Sequence, residues 1–353
     1  MLLRRRRPPD GPRKGLVRKE ASRDLETSFR TPEEAPNPQS DNSAFRAYGT
    51  ECLEKKESHM LNRKSIERAL ARAAGHQDES VVARLALFAP ALLKAADLRA
   101  QLAAEAPEWT DEEIEAARLG KETLLSLRPV TIDSERFLQT VDAIAAVLLD
   151  NDEIEGDMLE ACRAVDWTRF ASDELLEIAG RDPMGYLHAV EVHAGEDDLL
   201  DIFLLPVLGL ALRVFLDEAA DEGSRRIART GTDTTHHNRL LHCPVCGSDA
   251  AVASVTDTPL NGHVKQLWCT CCGAHWVFER IRCAVCGDQA VSDLSYIHDE
   301  TDETRRLHVC AGCHAAFPTI FAGEELNFCA DVEQIVMTGL ELFYQNAVEG
   351  KEA

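Results

Sequence analysis

The stretch CTCCGAHWVFERIRCAVCG, residues 269–287, contains five cysteines within eighteen residues. Two cysteines three residues apart can bind one metal ion, because the backbone between them turns and offers its N–H groups to the thiolates. The fifth cysteine, Cys271, falls inside one pair and is expected to point away from the metal as an additional thiol. The other four form two CxxC pairs, Cys269 with Cys272 and Cys283 with Cys286.

Two further CxxC pairs flank this stretch, and their spacing predicts two metal sites. The loop before Cys269 has 22 residues and the loop after Cys286 has 23, whereas only ten residues separate the two inner pairs. Each outer pair is therefore expected to share a metal with the nearest inner pair, in the tetrahedral four-sulfur geometry of zinc ribbons and rubredoxins. Four thiolates suit both zinc and iron, so the ligands leave the metal open. The predicted ligands are Cys243, Cys246, Cys269 and Cys272 in the first site, and Cys283, Cys286, Cys310 and Cys313 in the second.

The remaining cysteines and the nearby histidines are not predicted to be ligands. A cysteine without a CxxC partner is more often a small apolar residue in a core. With eight thiolates available, the histidines near the pairs are expected to be surface or strand residues. The residues concerned are Cys52, Cys162, Cys329, His242, His263, His275, His308 and His314.

No catalytic site is predicted. The chain contains no nucleophile elbow, no zinc-protease helix motif and neither of the common glycine-rich phosphate-binding loops. A closed four-thiolate site offers no open coordination position to a substrate. We therefore expect a protein that is not an enzyme, with no catalytic residues and no cofactor other than the two metal ions.

The pattern of apolar residues predicts an α+β fold. Helical spacing extends over 61–228, where Pro90 is expected to kink or split a helix and Pro206 to kink the buried helix Leu199–Ala219. Runs of strand-forming residues lie between the cysteine pairs, at 251–255, 263–268, 275–281, 294–298 and 306–309. The expected order is an all-α N-terminal helical domain, two tandem rubredoxin-like or zinc-ribbon modules with four cysteines each, and a closing C-terminal helix. The predicted segments are a disordered basic and polar leader (1–58), the helical domain (59–228), a linker (229–240), the first module (241–281), the second module (282–328), and the C-terminal helix and tail (329–353).

The charge balance limits the classes of partner. The net charge is −23, and a strongly acidic protein repels phosphate backbones. The basic leader lacks the apolar run of a signal peptide. The longest apolar stretch, Ile202–Leu216, has fifteen residues and is too short to span a bilayer. The sequence therefore predicts neither a nucleic-acid partner nor stable membrane insertion.

Five segments carry a resemblance to a known family: HCPVCGSDAAVASV (242–255), QLWCTCCGAHWVFERIRCAVCG (266–287), LSYIH (294–298), VCAGCHAAFPTI (309–320) and DVEQIVMTGLEL (331–342). Through them the chain resembles the FdhE family of formate dehydrogenase accessory proteins. The resemblance implies a cytoplasmic protein that is not itself an enzyme. It implies binding to the molybdenum- or tungsten-containing catalytic subunit of respiratory formate dehydrogenase before export. It also implies iron at the eight cysteines, with zinc as the other possibility. Cys271 and the basic leader depart from the family pattern.

Two other functions remain open at this point. A zinc-ribbon nucleic-acid-binding protein needs a basic face, whereas residues 240–326 contain five Lys and Arg against eleven Asp and Glu. A rubredoxin-like electron-transfer protein needs iron in its four-thiolate sites. Salt-dependent binding to DNA would indicate the first function, and reversible redox cycling without loss of metal would indicate the second.

Overall fold

The computed structural model describes residues 61–102, 104–151, 154–195, 199–230, 239–258, 262–323 and 328–349. The predicted basic leader, Cys52 and most of the predicted linker lie outside these residues.

The chain up to Thr230 is helical, as the apolar spacing predicts. Polar residues begin several of the helices: the Thr110 side chain and Glu113 form a reciprocal capping box, and Asn62, Asp133 and Ser172 accept from backbone amides. A 3₁₀ turn (Trp167–Phe170) and a π turn (Leu200–Leu204) lie between helices. The helices are α1 (Arg63–Ala73), α2 (Glu79–Leu102), α3 (Asp111–Arg118), α4 (Leu124–Leu127), α5 (Ser134–Leu149), α6 (Gly156–Arg163), α7 (Asp173–Arg181), α8 (Pro183–Ala194) and α9 (Leu205–Thr230).

The two prolines have different positions in their helices. Helix α2 runs through Pro90 without the predicted split, and it packs against α5 and α9. The predicted helix Leu199–Ala219 changes its geometry near Pro206: the π turn ends at Leu204, α9 begins at Leu205, and Pro206 lies in the first turn of α9. A proline is tolerated there, since the first amides of a helix have no intrahelical acceptor.

The cysteine-rich region forms one six-stranded mixed sheet with the order β3-β2-β1-β6-β5-β4. Each predicted module contributes three strands, and the two halves join where β1 pairs parallel with β6, at Ala253 with Thr319. The other neighbouring strands are antiparallel. Strand β6 was not predicted, so the fusion of the two modules into a single sheet was missed. The strands are β1 (Val252–Thr258), β2 (Gly262–Trp268), β3 (His275–Phe278), β4 (Leu294–Asp299), β5 (Asp302–Cys310) and β6 (Ala316–Gly323).

The terminal helix α10 (Ala330–Glu349) connects the sheet to the helical region. Its Met337 packs with Val252, Trp268 and other buried residues on one face of the sheet. Its Val332 and Val336 pack with buried residues of α1 and α2. The predicted fold class is confirmed: a helical region, a sheet that carries two clusters of four cysteines, and a C-terminal helix. Among the described residues, no helix combines the length and apolar character needed to cross a bilayer.

Candidate metal centres

All four CxxC pairs adopt the same turn. In each turn, the amide of the first cysteine donates to the carbonyl five residues later, and the residue after the second cysteine donates back to the first cysteine. These hydrogen bonds are 2.8–3.0 Å long. The donor and acceptor pairs are Cys243–Ser248 and Gly247–Cys243, Cys269–Ala274 and Gly273–Cys269, Cys283–Asp288 and Gly287–Cys283, and Cys310–Ala315 and His314–Cys310.

The residue after the second cysteine has a positive φ in every turn. Glycine occupies this position three times, with φ of 83° at Gly247, 97° at Gly273 and 79° at Gly287. The fourth turn has His314 there, at φ 58°, and His314 is the one non-glycine residue with positive φ in the described part of the chain. A side chain in this conformation clashes with the backbone, so the fourth turn is strained relative to the other three.

The turns bring the eight predicted ligands together in two groups of four. Within each group the sulfur atoms all lie within 4.8 Å of one another. The separations are 3.6 Å for Cys243–Cys272 and 3.5 Å for Cys246–Cys269. They are 3.8 Å for both Cys283–Cys313 and Cys286–Cys310.

These separations fit a bound metal. Four sulfurs at about 2.3 Å from one ion, arranged tetrahedrally, stand about 3.8 Å apart. A disulfide would require about 2.05 Å. Each group could therefore hold one metal ion, with its four thiolates as a closed tetrahedral shell. The donor set is the same for zinc and iron, so the geometry does not select between them.

Electrostatics also favours a cation in each group. Burial raises the pKa of the Cys243 and Cys272 thiols well above the ordinary value, and their neighbouring sulfurs raise it further. Burial likewise raises the pKa of Cys310 and of Cys313 in the second group. Four thiolates without a cation would repel one another in a site of low polarity. A divalent metal compensates that charge.

One thiolate of the second group is stabilised by the backbone. Burial alone would raise the pKa of Cys283, but its Sγ accepts hydrogen bonds from the amides of Cys286, at 3.5 Å, and Val285, at 3.4 Å. These bonds lower the pKa of Cys283 below its ordinary value. The turn therefore supplies the N–H groups that the sequence predicted for a metal-binding thiolate.

The first group is attached directly to the helical region. The amides of Leu124 and Leu125, at the start of α4, donate to the carbonyls of Pro244 and Val245 at 3.1 and 2.9 Å. Helix amides that lack an intrahelical acceptor thus bind the first turn. In the second turn, the carbonyl of Thr270 accepts from the Arg213 guanidinium at 2.9 Å.

The turns of the second group form hydrogen bonds with the residues around them. The Ala311 amide in the fourth turn donates to the Asp293 carbonyl at 2.7 Å. Arg282 donates to the Gly287 carbonyl at 3.1 Å and to the Arg239 carbonyl at 2.7 Å. Cys286 is exposed and Cys313 is partly exposed, whereas all four cysteines of the first group are buried.

Cys271 belongs to neither group of four sulfurs. It is buried, and interaction with Cys246 together with its burial raises the pKa of its thiol. Cys271 also lines a cavity with Arg213 and Asp331. The side chain therefore lies outside the predicted ligand set, but it interacts with one of the ligands rather than standing apart from the site.

The other residues considered in the sequence lie outside both groups. Cys162 and Cys329 are buried among apolar side chains. His242 contacts Asp249 at 2.9 Å, and His275 stacks on Trp268 with ring centroids 4.6 Å apart. None of His242, His263, His275, His308 and His314 belongs to a metal-binding group among the described residues.

The sequence did not indicate that two cations near the sites, Arg213 and Lys265, are buried. Arg213 of α9 is 2% exposed and pairs with Asp331, and the only sequence signal was an arginine within an apolar run. Lys265 of β2 is also 2% exposed, and its Nζ lies 5.5 Å from the centroid of the Phe278 ring. Burial lowers the pKa of Lys265 to about 8, while the Cys283 thiolate nearby acts in the opposite direction. The alternation of polar and apolar residues along β2 does not distinguish this buried lysine from an exposed one.

The fold and the two groups define a class of protein in which a helical region carries a sheet with twin rubredoxin-like four-cysteine sites. No model of a known protein family matches the chain. Over 149 residues it is 26% identical to an FdhE homolog of Aquifex aeolicus, covering 42% of this chain and 48% of that protein. Over 102 residues it is 30% identical to an FdhE homolog of Shewanella oneidensis, covering 28% and 33%.

A solved structure shares the fold. The crystal structure of the FdhE protein from Pseudomonas aeruginosa superposes with a TM-score of 0.54 and 19% identity, covering 84% of this chain and 94% of that one. The chain therefore resembles FdhE homologs over part of its sequence, and it shares the fold of an FdhE protein. The matched region spans between a third and about half of the length of these curated relatives, 33% and 48%.

Proposed function

We propose that this chain is an accessory protein for the maturation of formate dehydrogenase. In this role it binds the molybdenum- or tungsten-containing catalytic subunit in the cytoplasm before export, and it does not itself catalyse a reaction. The observation that supports this proposal is the pair of four-cysteine groups on one sheet in a chain related to FdhE proteins. Closed shells of four thiolates leave no coordination position for a substrate, which fits a binding protein better than an enzyme.

We further propose that the eight cysteines hold two metal ions per chain, and that the native metal is iron. The sulfur separations support a tetrahedral ion in each group. The preference for iron rests on the family resemblance, and zinc is the alternative. Metal analysis and a visible spectrum of protein purified without oxygen test the proposal. Two iron ions per chain with thiolate-to-iron bands are expected, whereas two zinc ions and a colourless protein would overturn the choice of iron.

The partner is tested by capture from cells that make the respiratory enzyme. The full chain, immobilised at low ionic strength, is expected to recover the formate dehydrogenase catalytic subunit. A Cys271→Ser bait should recover the same amount, because Cys271 lies outside both sulfur groups. Absence of the subunit from both eluates, with both baits folded and metal-loaded, would contradict the accessory role.

Electron transfer is a second candidate, favoured by the exposure of Cys286 in the second group. An exposed ligand would bring an iron ion close to a redox partner. Reversible oxidation and reduction of the iron-loaded chain with no loss of metal would support this function. Release of iron on the first oxidation would exclude it.

A further inference from the structure

The two four-cysteine groups differ in access to solvent. In the first group, Cys243, Cys246, Cys269 and Cys272 are at most 5% exposed and are part of the main apolar core. In the second group, Cys286 is exposed and Cys313 is partly exposed, and the four cysteines belong to none of the apolar clusters of the described chain. Solvent and dissolved ligands can therefore reach a ligand residue of the second group, whereas all four ligand residues of the first group are buried.

The two groups also differ in how they are attached to the rest of the protein. Opening the first group requires breaking the hydrogen bonds from Leu124, Leu125 and Arg213, which hold its turns to the helical region. The third turn, which carries Cys286, is at the surface: Val285 is 40% exposed, and Ile281 and Val291 on either side are 51% and 54% exposed. Within this turn Ala284 is part of the main apolar core, whereas Cys286 belongs to no apolar cluster, so a movement of Cys286 alone would disturb none of them.

Metal leaves a four-thiolate site by substitution. Either an incoming donor binds the ion or a proton binds one thiolate, and one metal–sulfur bond breaks. The remaining metal–sulfur bonds then break in turn. The step needs access to at least one ligand and freedom for that ligand to move. Cys286 is exposed and can be reached by such a donor, whereas Cys246, at the equivalent position in the first group, is buried.

We propose that the second group is an exchangeable metal site, loaded and unloaded through the open side at Cys286, and that the first group is a permanent structural site. The proposal rests on the proposed binding of one metal ion by each group. The exchanging ligand is a sulfur or nitrogen donor, such as a thiolate or an imidazole, because these bind zinc and iron in competition with cysteine.

The test uses the full chain loaded with zinc, whose content is measured first. A chromogenic chelator, 4-(2-pyridylazo)resorcinol, then withdraws the metal while N-ethylmaleimide traps each freed thiol. We expect half of the zinc to leave faster than the rest, by on the order of tenfold or more. Mass spectrometry after the fast phase should find the label on Cys283, Cys286, Cys310 and Cys313, with the first group unlabelled.

A matched pair of variants assigns the phases. Cys286→Ser should remove the fast phase and leave the slow phase unchanged, and circular dichroism should show that the helices remain. Cys246→Ser is the variant of the equivalent buried position, and it should remove the slow phase. A single release rate for all zinc, or early label on the first group, would overturn the division between the sites. Less than two zinc ions per chain at the start would instead contradict the metal stoichiometry and the proposal with it.

Discussion

Arg213 of α9 and Asp331 of α10 are 118 positions apart in the chain and form a buried, bidentate ion pair. The Arg213 Nη1 lies 2.7 Å from one oxygen of Asp331 and 2.9 Å from the carbonyl of Thr270. Burial would lower the pKa of Arg213, but Asp331 raises it above the ordinary value and keeps the guanidinium charged. One side chain thereby joins the helical region, the first metal group and the terminal helix.

Removal of Asp331 should destabilise the whole protein. In Asp331→Ala, the Arg213 guanidinium keeps its charge but loses the carboxylate to which it is hydrogen-bonded, and breaking a buried pair in this way costs about 3–5 kcal/mol. Urea denaturation of the metal-loaded chain measures the loss. Asp97→Ala is the control, because the Asp97–Arg63 pair is exposed and should contribute about 1 kcal/mol or less. Equal losses in the two variants would show that the Arg213 pair does not connect the three parts.

Loss of a ligand should have different consequences in the two metal groups. Cys246→Ser should release one metal and lower Tm by on the order of 10 °C, since the first group is part of the main core. Cys286→Ser should also release one metal, but should lower Tm by only about a few degrees, because none of the four cysteines of the second group is part of that core. Differential scanning calorimetry and metal analysis check both. The reverse order of the two effects would contradict the structural role of the first group.

The thiol of Cys271 should be dispensable for metal binding. Cys271→Ser keeps the size of the side chain and changes no member of either sulfur group, so the chain should retain two metal ions. Cys272→Ser, one residue later, removes a ligand and should leave one metal ion. Metal analysis of the two proteins side by side distinguishes them. Loss of metal from Cys271→Ser would mean that this thiol replaces one of the four proposed ligands.

The metal groups could be predicted from the sequence because their geometry is local. A CxxC turn followed by glycine fixes two sulfurs within a few residues, and the loops of 22 and 23 residues limit which turns can meet. The segment boundaries proposed from composition, including the linker at 229–240, stay predictions. The fusion of the two modules could not be predicted, because the parallel pairing of β1 with β6 joins residues such as Ala253 and Thr319 that are far apart in the chain.

Strand β6 was missed for a reason within its sequence. It contains Pro318, and proline in a strand interior usually indicates an edge or an irregular segment. Here Pro318 is paired opposite Leu307 in a strand that has neighbours on both sides. The ion pair of Arg213 with Asp331 and the burial of Lys265 also depend on tertiary packing, which no local pattern encodes.

Lys265 should make stability depend on pH in the alkaline range. Its pKa is about 8 in the folded protein and 10.5 ordinarily, so between these values the unfolded chain binds more protons. The free energy of unfolding from this group therefore rises with pH from 8 to 10.5, by about 3 kcal/mol in all. Lys265→Met, which cannot titrate, should be more stable than the natural chain at pH 7, and the difference should shrink towards pH 10.5.

The Lys265 measurement is a series of urea titrations between about pH 7 and the ordinary lysine pKa of 10.5. Metal-bound thiolates stay deprotonated throughout this range, so metal release does not interfere, and metal content is checked at each pH. A variant elsewhere on the sheet, Gln266→Met, controls for the added apolar side chain. A constant difference between Lys265→Met and the natural chain at all pH values would contradict the lowered pKa.

His314 in the fourth turn should be replaceable by glycine with a gain in stability. His314 has a φ of 58°, a conformation in which a residue with a Cβ is strained. Glycine has no Cβ, so the substitution should remove a cost of about 1 kcal/mol. Glycine already occupies the same position after the other three cysteine pairs. Gly287→Ala is the opposite change in the third turn, where a Cβ at φ 79° would be strained, so it should weaken the same metal group. Chelator competition, which measures the metal affinity of the second group, should therefore rank His314→Gly above the natural chain and Gly287→Ala below it. If His314→Gly lowers the affinity, the exposed imidazole contributes to the site by a contact that outweighs the backbone strain.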